Sequence, residues 1–342
     1  MSRPRRRRPE VALPPGCDPA SILLAFPVAP EHAGQRLDRF VQSRIPRLSR
    51  TRAQEIVRNC AYRTDGTRRR ASERVRTGET VLLVRPQFEE PHVPLFFDVL
   101  YEDAAILAVD KPSGLPVHPS ATYHRNTLTF LLGERFGDDP PQIAHRLDRE
   151  TSGLLLCGRT PDAERELKDA FEKRRVSKRY LAIVRGVISE DEGRIELPLD
   201  QAKEGLHILM EVTPAAEGYP SATRFRVLAR SDHATLVALA PESGRQHQLR
   251  VHLSALGFPI MGDKLYGPEG VQPFLEYIDT GMTDELRRRL GHHRQALHAY
   301  ELTFKHPSTG DVMTLHAPLP DDLMALWGAS LDVATLAAVE AC

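Results

Sequence analysis

The sequence predicts an α+β fold: a large unit built around a mixed, mainly antiparallel central sheet, preceded by a small α/β module. Three observations carry this. Segments of strand character beyond residue 105 cluster between helices without alternating strictly with them, which argues against a doubly wound parallel sheet. Charge divides the chain: residues 1–86 hold nineteen Arg, no Lys and eight Asp plus Glu, an excess of +11, and because the chain is neutral overall residues 87–342 carry −11. Between the two, residues 87–95 contain two prolines, two glutamates and no hydrophobic period, which places a linker there.

Residues 1–25 are rich in Pro and Arg and lack sustained periodicity, so they read as a disordered leader with order beginning near Phe26. The opening MSRPRRRRPE has no apolar stretch behind it, which excludes a secretory signal. A polyanion-contacting tail is the preferred reading; nuclear or organellar targeting is the alternative. From Gly34 the pattern changes: Leu37, Phe40 and Val41 recur at helical spacing, and a second helix is predicted from about Ser49 through Ala53, Ile56 and Val57. Asp65 and Gly66 signal a turn, followed by a basic run and an apolar strand at Val81–Val84. Two helices and a small hairpin make a module over residues 26–86. Clustered guanidinium groups gain from phosphate contact and counterion release, so nucleic acid is favoured over the plainer reading of a solvated basic face. The candidate contacts are Arg36, Arg47, Arg50, Arg52, Arg68, Arg69 and Arg70.

The main unit is placed at residues 96–330, with 331–342 as a tail. Strands are predicted at Ala105–Val109, Gly153–Cys157, Arg179–Val184, Ala222–Leu228, Thr235–Ala240, Leu297–Phe304 and Val312–His316. Helices are predicted at Thr127–Phe136, after Thr160 and Pro161, at about Gln246–Leu256 before Gly257, and near Trp327. No apolar run approaches the roughly 20 residues of a membrane span. Cys17, Cys60, Cys157 and Cys342 are scattered without a C-x-x-C pair, so neither a zinc site nor a disulfide framework is indicated. A monomer in a reducing, cytoplasmic setting is expected.

HRLDRETSG (residues 145–153) precedes an apolar strand and so occupies a loop at a strand's edge, where a scaffold presents reactive groups. Asp148 lies between Arg146 and Arg149, and nearby cations favour the ionised carboxylate, available as nucleophile or base. On spacing alone, a loop aspartate that caps a turn is the commoner outcome. Glu150 raises a two-carboxylate hydrolase, but residues two apart in an extended segment point to opposite faces, and that reading is set aside. In GRQHQLRVH (residues 244–252), Arg245 near a helix start can reach a carboxylate or phosphate. His247 and His252 are five apart, not the i, i+4 pair of zinc motifs; both are read as packed, and no metal is expected. Tyr180 in KRY (residues 178–180) places an aromatic face beside two cations, suited to stacking on a base, although most strand tyrosines fill a core. No P-loop, G-x-G-x-x-G or G-x-S-x-G frame occurs, and no cofactor is expected.

HRLDRETSG, taken in order with DKPSGLPVH (110–118), KRY, GRQHQLRVH, GDKLYG (262–267) and LHA (297–299), resembles the RluA/RluD-type pseudouridine synthase family over about residues 96–320. Residues 34–84 are similar to the S-four-like RNA-binding domain, through GQRLD (34–38) and LSR (48–50), with AYRTDG (61–66) departing from the usual hairpin. The resemblance implies an isomerase that converts uridine to pseudouridine in RNA without a cofactor. It implies Asp148 as the essential carboxylate at the anomeric carbon or its neighbour. Tyr180 would stack on the uracil and help remove the carbon-five proton, Arg245 would pair with Asp148, and Leu249 would line the pocket, with His145, Arg146 and Arg149 as further substrate contacts. The family's usual threonines flanking Gly-Arg are replaced by Ser243 and Gln246. Large-subunit ribosomal RNA is the first expectation for the substrate and transfer RNA the second, against the rival reading of a non-catalytic RNA-binding protein of the same fold.

Overall fold

The computed structural model describes residues 11–19, 21–45, 48–85, 90–120, 122–214 and 216–328. The chain divides into two compact units, residues 1–89 and 90–342.

The N-terminal unit contains β1 (Ile22–Pro27), α1 (Leu37–Arg44), α2 (Arg50–Cys60), β2 (Ala61–Tyr62) and β3 (Thr80–Arg85), the strands forming an antiparallel sheet in the order β1-β3-β2. The helical spacing of Leu37, Phe40 and Val41 exists because that face is fully buried with Val57, Val81 and Leu83. Ser49 caps α2, its hydroxyl accepting from the Arg52 N–H. The first strand begins at Ile22, ahead of the expected onset at Phe26: Ile22, Leu23 and Leu24 pair along β3 despite the Pro/Arg-rich sequence before them.

The second unit comprises β4 (Asp98–Glu102), β5 (Ile106–Lys111), α3 (Leu128–Phe136), β6 (Gln142–Ile143), β7 (Ser152–Gly158), α4 (Pro161–Glu172) and β8 (Ser177–Arg185). It continues with β9 (Glu192–Glu196), β10 (Leu199–Gln201), β11 (Met210–Val212), β12 (Ala222–Arg230), β13 (Ala234–Pro241) and α5 (Gln248–Ala255). It closes with α6 (Gln272–Thr280), α7 (Asp284–Leu290), β14 (Leu297–Lys305), β15 (Val312–His316) and α8 (Asp321–Trp327).

The main sheet has the order β4-β5-β7-β14-β8-β13-β12-β9, with β15 on β14 and β6 on β7. Among the described residues its pairings are antiparallel except β7 with β14, which run parallel through two pairs, His298 with Ser152 and Ala299 with Gly153. The sheet is therefore mixed and mainly antiparallel. β7 is buried along its whole length, which explains its continuous apolar run GLLLC. α4 covers it with Ala163, Leu167 and Ala170, while Leu249 and Leu253 of α5 pack on Ile183, Val237 and Leu239. The separate hairpin β10–β11 touches α5.

Candidate active site

Sheet register assembles the site. Tyr180 on β8 pairs with Ala299 on β14, which pairs in turn with Gly153 on β7, so Tyr180 stands two strands across from the segment that carries Asp148. Gly153 has φ of +110°, and a Cβ there would lie 2.3 Å from the Ala299 carbonyl oxygen; only glycine lets the two strands meet. The loop before β7 is fixed by side chains. His145 Nε2 accepts the Leu156 N–H at 3.1 Å, and its ring stacks on Phe171 with centroids 4.2 Å apart. Gln295 Nε2 donates to Thr151 Oγ1 at 2.6 Å, and Ser152 Oγ lies 3.0 Å from His298 Nδ1.

Asp148 opens onto a cleft of about 660 Å³ whose walls also carry Arg146, Tyr180, Arg245, Leu249 and Arg250. Its side chain is 26% exposed. Burial alone would push the carboxyl up, but the charge of Arg250, the neighbouring His247 imidazole, and hydrogen bonds from Arg250 and Gln295 outweigh it and hold the group below the ordinary carboxylate range. Burial, reinforced by Asp148, raises the Tyr180 phenol well above its usual range, so it stays protonated at neutral pH.

The arginine on Asp148 is Arg250 and not Arg245. Arg250 Nη1 donates to Asp148 Oδ2 at 3.0 Å, while Nε and Nη2 donate to Asp263 at 2.6 and 2.8 Å. The reason is local: α5 begins only at Gln248, so Arg250 lies in its first turn and Arg245 in the turn before. Arg245 instead lies over the Tyr219 ring, 4.9 Å from its centroid, on the cleft wall. Gln248 organises that turn, accepting from the Ser243 hydroxyl and the Arg245 N–H, and Gln246 is exposed.

Other expectations change as well. His145 is a neutral hydrogen-bond acceptor, pushed down to about 3 by burial and then Lys178; its ring nitrogen is committed to the backbone, although its side chain borders the cleft. Arg149 faces away, donating to Tyr123 and Glu150, so the cations acting on Asp148 are not the two sequence neighbours. Glu150 is held by Lys264 at 2.8 Å, which leaves it no place beside Asp148 as a second acid. His252 packs as expected, between Thr223 and the Leu197 carbonyl, but His247 does not: its Nε2 lies 3.8 Å from Asp148 Oδ2.

In the N-terminal unit Arg50 and Arg70 are exposed, Arg52 pairs with Glu55, and Arg68 lies over Tyr62. Arg36 forks onto Asp38. Arg69 is corrected: it is 5% exposed and engages Glu73 and Glu79, a buried structural cation and not a surface contact. Arg47 lies outside the described residues. Arg58 shares a groove with Arg36 and Arg70 and was not singled out from sequence.

Among the described residues His292, His293 and Asp322 have metal-ligand spacing, but Asp322 already receives Arg294 through Nε and Nη2 at 2.6 and 2.8 Å, which neutralises the carboxylate. No helix among the described residues is long and apolar enough to cross a membrane.

A carboxylate held ionised by a buried arginine thus shares a cleft with a protonated tyrosine, an arrangement suited to nucleophilic or acid–base chemistry. Residues 105–255 match the family described as RNA pseudouridylate synthase. The chain is 34% identical to an uncharacterised RNA pseudouridine synthase of Bacillus subtilis over 86% of its length and 94% of that protein's. It is likewise 34% identical to ribosomal large subunit pseudouridine synthase D of Nitrosomonas europaea, over 86% of this chain and 84% of that one. The solved structure of human RNA pseudouridylate synthase domain containing 1 superposes with a TM-score of 0.56 at 29% identity, covering 74% of this chain and 98% of that one. The chain belongs to the RNA pseudouridine synthase family, isomerases that act on RNA.

Proposed function

We propose that this enzyme isomerises uridine in large-subunit ribosomal RNA, with Asp148 as the reacting carboxylate. The observation that carries the reading is the pairing of a partly exposed Asp148 with a buried Arg250 on the cleft floor: the group is ionised yet accessible. In the reaction Asp148 acts at the anomeric carbon or its neighbour as the glycosidic bond from nitrogen one breaks, the uracil turns in place, and carbon five bonds to the anomeric carbon; the carbon-five proton passes to solvent and nitrogen one takes up a proton, so no net proton is lost. Nothing is oxidised or hydrolysed, so the demands are positioning and exclusion of water. Tyr180, protonated, supplies a ring to stack on the uracil and a hydroxyl to hydrogen-bond; Leu249 supplies an apolar wall. Arg146, exposed on the cleft wall, and Arg245 suit the RNA backbone.

The ribosomal assignment is supported by relatives named ribosomal large subunit pseudouridine synthase D and by the Arg-rich N-terminal unit, which we take to be an S-four-like RNA-binding module. Arg50, Arg58 and Arg70 are its favoured contacts. We take the chain to be a cytoplasmic monomer; the free Cys17, Cys60 and Cys157 suit a reducing setting. The test is tritium release from carbon-five-labelled uridine in RNA, with pseudouridine mapping in cells that have or lack the gene. Loss of one ribosomal site is expected; loss of a transfer-RNA site instead would reassign the substrate, and an Asp148→Asn variant of undiminished activity would refute the mechanism.

A further inference from the structure

The GDKLYG turn and His247 meet behind Asp148. Asp263, in that turn, accepts Nε and Nη2 of Arg250 and the backbone N–H groups of Leu265 and Tyr266, and so fixes the guanidinium that reaches Asp148 Oδ2. From the same turn the Tyr266 hydroxyl lies 2.7 Å from His247 Nδ1, and His247 Nε2 lies 3.8 Å from the same Oδ2. The Tyr266 hydroxyl also accepts the Met210 N–H, from β11, at 2.9 Å. Its single proton is then best directed to His247 Nδ1, which leaves the imidazole's own proton on Nε2, facing the carboxylate. Burial, then the charge of Arg250, pushes His247 down to about 4, so this donor is neutral among the charges of Arg250, Asp148, Asp263 and Arg146. His247 holds φ of +54°, a left-handed conformation uncommon outside glycine. Glycine would relieve the backbone there but would bring no ring.

We infer that Tyr266 and His247 are positioning residues for the isomerisation, holding an N–H toward Asp148 and tying the carboxylate's orientation to the seating of the β10–β11 hairpin through Met210. This rests on Asp148 being the reacting carboxylate.

The deciding measurement is independent of turnover: a carbon-13 NMR titration of the Asp148 carboxyl in the full chain, assigned with Asp148→Asn. Tyr266→Phe keeps the ring that lies 4.9 Å from the Arg250 guanidinium and removes only the hydroxyl. Tyr266→Phe and His247→Leu should each raise the Asp148 midpoint by about half to one unit, and His247→Gln, which retains an N–H donor, should restore most of the shift. Amide exchange at Met210 should quicken in Tyr266→Phe. In turnover each of the first two variants should lower kcat about tenfold with KM changed less than about twofold, the acid limb should move up with the midpoint, and the double variant should be no worse than His247→Leu. An unmoved midpoint in the folded single variants, or losses that multiply in the double, overturns the inference. Wild-type protein that releases no tritium from any RNA would instead overturn the functional reading, while the titration still decides this one.

Discussion

Replacing Arg250 tests the electrostatics of the site most directly. Two unit charges about 4 Å apart interact by about 4 kcal/mol at an effective dielectric of about 20, equivalent to about three pKa units. Asp148 keeps 26% exposure, and glutamine at position 250 still offers an N–H, so about 1 to 1.5 units of upward shift should survive screening. A depressed carboxylate is ionised above its pKa and loses that charge as pH falls through it. Raising the pKa therefore moves the acid limb of kcat/KM to higher pH by the same 1 to 1.5 units. The single variant would also strand Asp263, whose side chain is 1% exposed, at a cost of about 3–5 kcal/mol. The double variant Arg250→Gln/Asp263→Asn removes that buried charge and keeps the test on Asp148. Tritium release measured from about pH 3 to 8 on this folded protein, checked by thermal unfolding, should give the displaced limb. An unchanged limb would refute the account of how Asp148 is kept ionised.

Other outcomes follow from the same structure. Arg245→Ala should raise KM and lower the salt dependence of RNA binding by about one ion while leaving kcat within about threefold; a collapse like that of Asp148→Asn would return Arg245 to the chemistry. Gly153→Ala should destabilise the catalytic unit by about 3 kcal/mol or more in thermal unfolding, because its Cβ would overlap the Ala299 carbonyl. Arg69→Ala should lower the stability of the N-terminal unit and change the salt slope of RNA binding little, the reverse of Arg70→Ala; equal slopes in the two would count against the buried role of Arg69. Asp38, completely buried, is held down to about 2, chiefly by its hydrogen bond from Arg36. It should contribute about 2 kcal/mol of stability above pH 4 that disappears as pH falls toward 2, a loss absent in acid unfolding of Asp38→Asn.

Elements with a strong local signature could be read from the sequence. Thr160 and Pro161 announced α4, Ser49 announced α2, and β15 spans the predicted Val312–His316, since caps and alternation are local properties. α6 and α7 were not predicted although local signals exist: Val271, Phe274, Leu275 and Ile278 recur at helical spacing, and Thr283 and Gly291 cap α7. β10 and β11 are three residues each, too short for a period to register. The HRLD loop could be located, and Tyr180 with it, but the choice between Arg245 and Arg250 depended on where α5 begins. That start is set by the left-handed His247, a backbone state that sequence spacing does not encode. For the same reason His247 read as an ordinary packed histidine, and Arg69 as one of three equivalent basic residues, although only it turns inward.

The parallel seam between β7 and β14 sets a time order on the enzyme's own assembly. Ser152 and His298 are 146 residues apart in the chain, and Gln295 and Arg294, beside β14, fasten the loop that carries Asp148. A nascent chain halted before residue 294 therefore has every residue of HRLDRETSG but lacks the β14-side hydrogen bonds to Glu150, Thr151 and Ser152. Contacts this distant in sequence close late in folding, so the loop's full set of supports is complete when the last strands of the main sheet arrive.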